Sequence, residues 1–270
     1  MLLLVDAGNT RIKWALVGAL VRSLTESDVP NQAALGHWTQ YGSVRKEDSR
    51  LLGDALQGID ITHVLLSNVA GETMRAQLDN MILRAVGLKP VPFEWFAARA
   101  ELAGVVNNYR DPNQLGSDRF ASMIGARALF PGRALLVATC GTATTVDALT
   151  AEGHFVGGMI LPGLGLMAGS LARHTAQLPQ VPERDSIAQL FADNTNDAIV
   201  SGCIHAQVGA IERALVTHAA TQGGPVTCVL SGGAATFIAP HLSVACESVD
   251  NLVLIGLQVA AAHTSFIHKE

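Results

Sequence analysis

Residues 5–11, Val-Asp-Ala-Gly-Asn-Thr-Arg, and residues 138–144, Ala-Thr-Cys-Gly-Thr-Ala-Thr, are versions of one another. Each follows an apolar run, residues 2–4 in the first case and 134–137 in the second, and each turns at a glycine beside hydroxyl or amide side chains. Such a stretch reads as a buried strand ending in a tight turn. Glycine leaves the backbone N–H groups of the turn approachable, and the small polar side chains add donors without the bulk that would exclude a phosphate. The copies stand about half a chain apart. A chain built this way is expected to fold as two similar lobes, with two facing turns suited to one nucleoside triphosphate.

The 270 residues, 49% hydrophobic and 15% charged, are enough to bury a full core in one large or two medium domains. A net charge of −5 with no cluster of Lys and Arg argues against a nucleic-acid partner, because binding to a phosphate backbone is driven by clustered cations. Cys140, Cys203, Cys228 and Cys246 form no CxxC pair, and the nine histidines show no ligand spacing, so the thiols read as reduced core residues. Residues 1–5 are apolar but lack a basic start and meet Asp6 at once. The apolar run 252–262 is broken by Gln258 and falls short of the roughly 20 residues of a membrane span. The expectation is a cytoplasmic protein with no membrane partner.

Periodicity alternates strands with helices. Hairpin strands at 2–6 and 11–17, a buried strand at 63–68, a helix at 72–86 and a strand at 91–95 make a first lobe. A helix at 117–130, a hairpin over 134–149, a strand at 155–161, helices at 165–178 and 193–220, a strand at 226–230 and a closing helix at 251–263 make a second. This is an α/β chain with expected lobes 1–115 and 116–270.

The ordered set Asp6-Ala7-Gly8-Asn9-Thr10, Gly116-Ser117-Asp118-Arg119, Gly141-Thr142-Ala143, residues 157–163 (Gly-Gly-Met-Ile-Leu-Pro-Gly) and Asn194-Thr195 resembles that of type III pantothenate kinases, from about residue 2 to residue 260. The resemblance implies the two ribonuclease-H-like lobes of the acetate and sugar kinase and actin superfamily, with mixed sheets flanked by helices. It also implies phosphorylation of pantothenate to 4′-phosphopantothenate with ATP, Mg²⁺ and a monovalent cation, K⁺ or NH₄⁺. Another small-molecule kinase of the superfamily, or a non-catalytic transcriptional accessory protein of the same fold, is the alternative; retention of both Asp6 and Asp118 favours catalysis.

Phosphoryl transfer needs a cradle for the triphosphate, a metal, a positioned hydroxyl and a base. Asp6, at the end of the first strand, can hold Mg²⁺ through water, while Asn9, Thr10 and the amides around Gly8 can bind phosphate oxygens and Lys13 can add charge. The first phosphate-binding set is thus Asp6, Ala7, Gly8, Asn9, Thr10, Arg11, Ile12 and Lys13. By resemblance, Thr142 contacts ATP from the second copy, and the turn at 231–235 approaches the adenosine. Asp118 alone could be a helix cap, but its place in the Gly-x-Asp-Arg motif implies the general base. The same resemblance gives Gly116, Ser117, Arg119 and Tyr109 to the substrate, with Arg119 suited to a carboxylate by its paired donors. It further implies that Thr195 reaches the substrate from a neighbouring subunit, so that a homodimer completes the site. Many members carry an aspartate two residues before the second turn, where it binds the monovalent cation; here Thr139 stands there.

Overall fold

The structure, a computed structural model, describes residues 1–18, 32–87, 90–181 and 189–264. Its contacts group into two compact units, residues 1–131 with 251–270, and residues 132–250.

In the first unit, β1 (Leu2–Ala7), β2 (Arg11–Val17), β3 (Gln40–Arg45), β4 (His63–Asn68) and β5 (Phe93–Trp95) form a mixed sheet in the order β3-β2-β1-β4-β5. β1 runs antiparallel to β2 and parallel to β4. Alternation along the strands decides the faces. Leu3, Val5 and Ala7, with Ile12, Trp14, Val64 and Leu66, pack on the side of α1 (Arg50–Ala55) and α2 (Glu72–Val86), whose Leu52, Met74, Leu78 and Ile82 complete that core. The opposite face, which carries Asp6, is covered by α3 (Ser117–Leu129) and the closing helix α7 (Leu252–His263). A small hairpin of β6 (Glu101–Leu102) and β7 (Val105–Asn107) and a 3-10 turn, Pro112–Gln114, lead into α3.

α3 and α7 cross at two glycines. A Cβ on Gly125 would stand 2.7 Å from the carbonyl oxygen of Leu252, and one on Gly256 would run into the carbonyl of Ala121. Ten consecutive residues of α7, from Leu252 to Ala261, are buried, which explains why its sequence is apolar all round.

The second unit holds β8 (Ala134–Cys140), β9 (Ala143–Leu149), β10 (His154–Pro162), α4 (Leu164–His174), α5 (Thr195–Gln222), β11 (Val226–Ser231), α6 (Ala235–Ile238) and β12 (Cys246–Ser248). Its strands run in the order β12-β11-β8-β9-β10. Leu136, Ala138, Cys228 and Leu230 of the sheet pack on Ile199, Cys203, Ile204 and Ile211 of α5.

The α/β class with two mixed sheets flanked by helices agrees with the sequence reading. Contacts group α3 and α7 with the first unit, whereas a boundary at 115/116 assigns both to the second lobe. The helix expected over 165–178 ends at His174, because Thr175 turns extended and its hydroxyl bonds back to the carbonyl of Leu171. The helix expected at 193–220 starts at Thr195, where Asn194 caps it by accepting from the Asp197 N–H at 3.0 Å, and ends after Gln222 at the left-handed Gly223. β3 carries no apolar alternation and was not anticipated; it is an edge strand whose residues are half-buried at most.

Candidate active site

The strand register places Lys13 of β2, Asp6 of β1 and Ser67 of β4 side by side. Directly paired residues point to the same face, so all three lie on the face that α3 and α7 cover. At the end of β1, the Gly8 N–H donates to the Arg11 carbonyl at 3.0 Å, leaving Asn9 and Thr10 exposed at the tip of the hairpin. The backbone N–H of Lys46 donates to the Thr10 carbonyl at 3.0 Å, and its Nζ lies 3.5 Å from the Ala70 carbonyl, so a second ammonium stands beside the turn. Arg11 donates from Nε to Ser43 Oγ at 2.7 Å. The side chains of Ala7 and Ile12 are fully buried in the core, so these two can offer a ligand only backbone atoms.

α3 begins at Gly116, which has no side chain to cap it, and the Asp118 carboxylate folds back so that Oδ1 accepts the Arg119 N–H at 2.8 Å. A Cβ on Gly116 would stand 2.7 Å from that Oδ1. Asp6 keeps a partial opening to solvent while its carboxyl is surrounded by protein atoms. Burial, then the negative charge of Asp118, pushes its pKa up to about 7 against the opposing pull of Lys13. Burial also raises Asp118, opposed by hydrogen bonding and the charge of Arg119. Two carboxylates that repel one another in a desolvated corner favour a bound cation or a shared proton.

Ser67 Oγ lies 2.8 Å from Ser117 Oγ, joining β4 to the first turn of α3. Arg119 is buried, donates from Nη1 to the Tyr109 hydroxyl at 2.9 Å, and sits over the Tyr109 ring at 5.6 Å. Tyr109 is itself placed by Asn107, whose Oδ1 accepts the Tyr109 N–H and whose Nδ2 donates to Pro112, both at 3.1 Å. The fold therefore assembles Asp6, Lys13, Ser117, Asp118, Arg119 and Tyr109 within one unit. Sequence reasoning missed Ser67 and Lys46. Ser67-Asn68, a polar end on an apolar strand like that of β1, was the available signal for the first; Lys46 carried none.

In the second unit, three glycine-containing turns converge. The Gly141 N–H donates to the Ala143 carbonyl, the Gly163 N–H to the Thr142 carbonyl and the Ala234 N–H to the Cys140 carbonyl, all within 3.0 Å. Gly163 and the left-handed Gly232 approach this backbone so closely that a Cβ on either would strike a carbonyl. Thr142 is exposed at the tip. Thr139, half-buried, pairs with Ser231 on one side and Thr145 on the other, a row of hydroxyls without a carboxylate. Thr195, the first residue of α5, lines a cavity of about 590 Å³ with Pro162, Met167 and Cys203.

Among the described residues no three His, Cys, Asp or Glu side chains converge as a metal cage. The carboxylates of Asp6 and Asp118 instead offer hard oxygens, the donor type that suits a Mg²⁺ ion keeping water and phosphate ligands. Among the described residues no helix is long and apolar enough to cross a membrane.

The profile of type III pantothenate kinases matches residues 2–217. The chain belongs to the type III pantothenate kinase family. It is 57% identical to a type III pantothenate kinase of Janthinobacterium sp. (strain Marseille) over 266 residues, 98% of this chain and 99% of the relative. It is 55% identical to that of Herminiimonas arsenicoxydans over 265 residues, 98% of each chain. Solved structures share the fold at low identity. A protein from Sinorhizobium meliloti assigned as a 2-dehydro-3-deoxygalactonokinase superposes with a TM-score of 0.57 at 15% identity, over 97% of this chain and 98% of that one. One from Campylobacter jejuni assigned to the Baf family of transcriptional activators gives 0.56 at 17%, over 96% of each. These two likenesses to solved structures concern the fold alone.

Proposed function

We infer that this type III pantothenate kinase transfers the γ-phosphoryl group of ATP to the primary hydroxyl of pantothenate, giving 4′-phosphopantothenate, the first step of coenzyme A synthesis. The observation that carries the reading is the buried carboxyl of Asp6 beside the charge of Asp118, set in a chain that matches the family over most of its length. Asp118 is the general base: burial raises its proton affinity, and it lies on the helix turn beside the residues assigned to the acceptor. Asn9, Thr10, the amides around Gly8, and Lys13 receive phosphate oxygens, with Thr142 as the donor from the second copy. Mg²⁺ held through water at Asp6 would neutralise charge on the phosphates. Arg119, oriented by Tyr109, offers paired donors to the pantothenate carboxylate.

The active species is a homodimer in which Thr195 contacts the substrate of the neighbouring subunit; the exposed Leu166, Leu171 and Phe191 of the second unit support a buried contact there. The monovalent cation rests on the resemblance alone. Thr139 supplies a hydroxyl and a carbonyl in place of the aspartate, so K⁺ or NH₄⁺ is held more weakly there than by a carboxylate. The enzyme works in the cytoplasm without a nucleic-acid partner.

A coupled assay of ADP release with pantothenate, pantetheine, glucose and acetate as competing acceptors tests the reading. Pantothenate is expected to be preferred; a much better alternative acceptor, or no turnover with any of them, overturns it.

A further inference from the structure

Ser67 has no place in the scheme above, and Ser117 enters it only as one of the residues assigned to the substrate. Ser67 is fully buried at the end of β4, in the row beside Asp6, and Ser117 precedes Asp118 on α3. Their Oγ atoms lie 2.8 Å apart. One hydroxyl must donate to the other, and the choice decides where the second proton points. Ser117 is the one hydrogen-bond partner that the described residues provide for the Ser67 side chain. If Ser117 donated, the Ser67 proton would be buried with no acceptor, an arrangement that folded proteins avoid. Ser117 is only half-buried, so its own proton can reach a ligand.

We propose that the Ser67 hydroxyl donates to Ser117 and thereby commits the Ser117 hydroxyl to donate into the site, to an oxygen of the phosphoryl group in transfer. The register explains that choice of target. Ser67 pairs with Asp6 in the strand register, at the phosphate end, and Ser117 directly precedes Asp118, at the acceptor end, so their bond joins the strand row of one carboxylate to the helix turn that carries the other. A donor held there by a buried partner needs no reorganisation as charge develops on the phosphoryl oxygens. Ser67 is thus a positioning residue that acts through Ser117. The inference rests on the phosphoryl-transfer reading given above.

A double-mutant cycle separates this role from packing. Ser117→Ala should lower kcat by roughly 10²-fold, as loss of a preorganised donor does, with little change in KM for pantothenate. Ser67→Ala should lower kcat by roughly tenfold, and the double variant should be no slower than Ser117→Ala, because Ser67 has nothing left to orient. Ser67→Thr, which keeps the hydroxyl, should recover most of the loss, and Ser67→Cys, similar in size but a poor donor, should not. Multiplicative losses in the double variant, unchanged kcat in Ser67→Ala, or an effect confined to the KM for pantothenate would each overturn the proposal. Thermal unfolding of each variant identifies a failure to fold, in which case the Ser67→Thr and Ser67→Cys pair decides. If the wild type phosphorylates none of the acceptors, the functional reading itself fails; if it phosphorylates pantothenate and Ser67→Ala is normal, only the hydroxyl relay fails.

Discussion

Asp6 and Asp118 are placed where ionisation is costly to the fold and useful to the chemistry. In the folded chain without metal, Asp6 keeps its proton up to about pH 7, while in the unfolded chain it gives it up near 3.8. The folded state therefore binds the extra proton between those values, so the associated stability is present below about pH 4 and is lost as pH rises to 7. Asp6→Asn removes the charge that the apo fold tolerates poorly. In EDTA it should raise Tm at pH 8, by roughly 2–4 °C for each kcal/mol relieved in a chain of this size, and raise it clearly less at pH 5, where most of the linked loss has yet to occur, while catalysis is lost. An equal shift at both pH values would count against the burial of that charge. Asp118→Asn should leave ATP and pantothenate affinity largely intact and slow transfer by roughly 10²- to 10⁴-fold. Equal single-turnover rates for the two proteins would remove the base assignment.

The element that places the base is α3, and α3 is held by α7. Their backbones meet at Gly125 and Gly256 with no room for a methyl group, and rigid carbonyls, not side-chain ends, stand in the way. Gly256→Ala should therefore cost about 1–3 kcal/mol by overpacking, despite the better helix propensity of alanine. Gly209→Ala, on α5 with open space around the new Cβ, should be neutral or stabilising by up to about 1 kcal/mol. Chemical denaturation of both variants checks the contrast; similar effects would mean that the close crossing is not what makes glycine necessary in α7. A part of the Gly256→Ala effect should also appear in kcat, since parting α3 from α7 moves Asp118.

For the whole molecule, the proposed dimer predicts complementation. An Asp118→Asn chain and a Thr195→Ala chain, each impaired alone, should regain activity when mixed, because a hybrid carries one site with both residues intact. Unfolding and refolding the mixture before assay allows subunits to exchange. Full wild-type activity in a species that light scattering shows to be monomeric would contradict the shared site.

The sequence by itself determined the strand-and-turn copies at Asp6 to Thr10 and Cys140 to Thr142 and the motif around Asp118, because turns and strand ends are local: their residue types act on neighbours a few positions away. It was therefore enough to indicate the α/β class and the family. Tertiary structure alone decided what depends on distance in space. It set Lys13, Asp6 and Ser67 in one row by strand register, joined Ser67 to Ser117 across fifty residues, and brought Lys46 to the Thr10 turn. It also turned the side chains of Ala7 and Ile12 into the core, although both belong to the recognisable phosphate motif, because alternation sends every second residue of a strand to the other face. The raised pKa of Asp6 belongs to this second class, since it arises from burial and from the charge of Asp118, and both exist only once α3 and α7 have closed over the sheet.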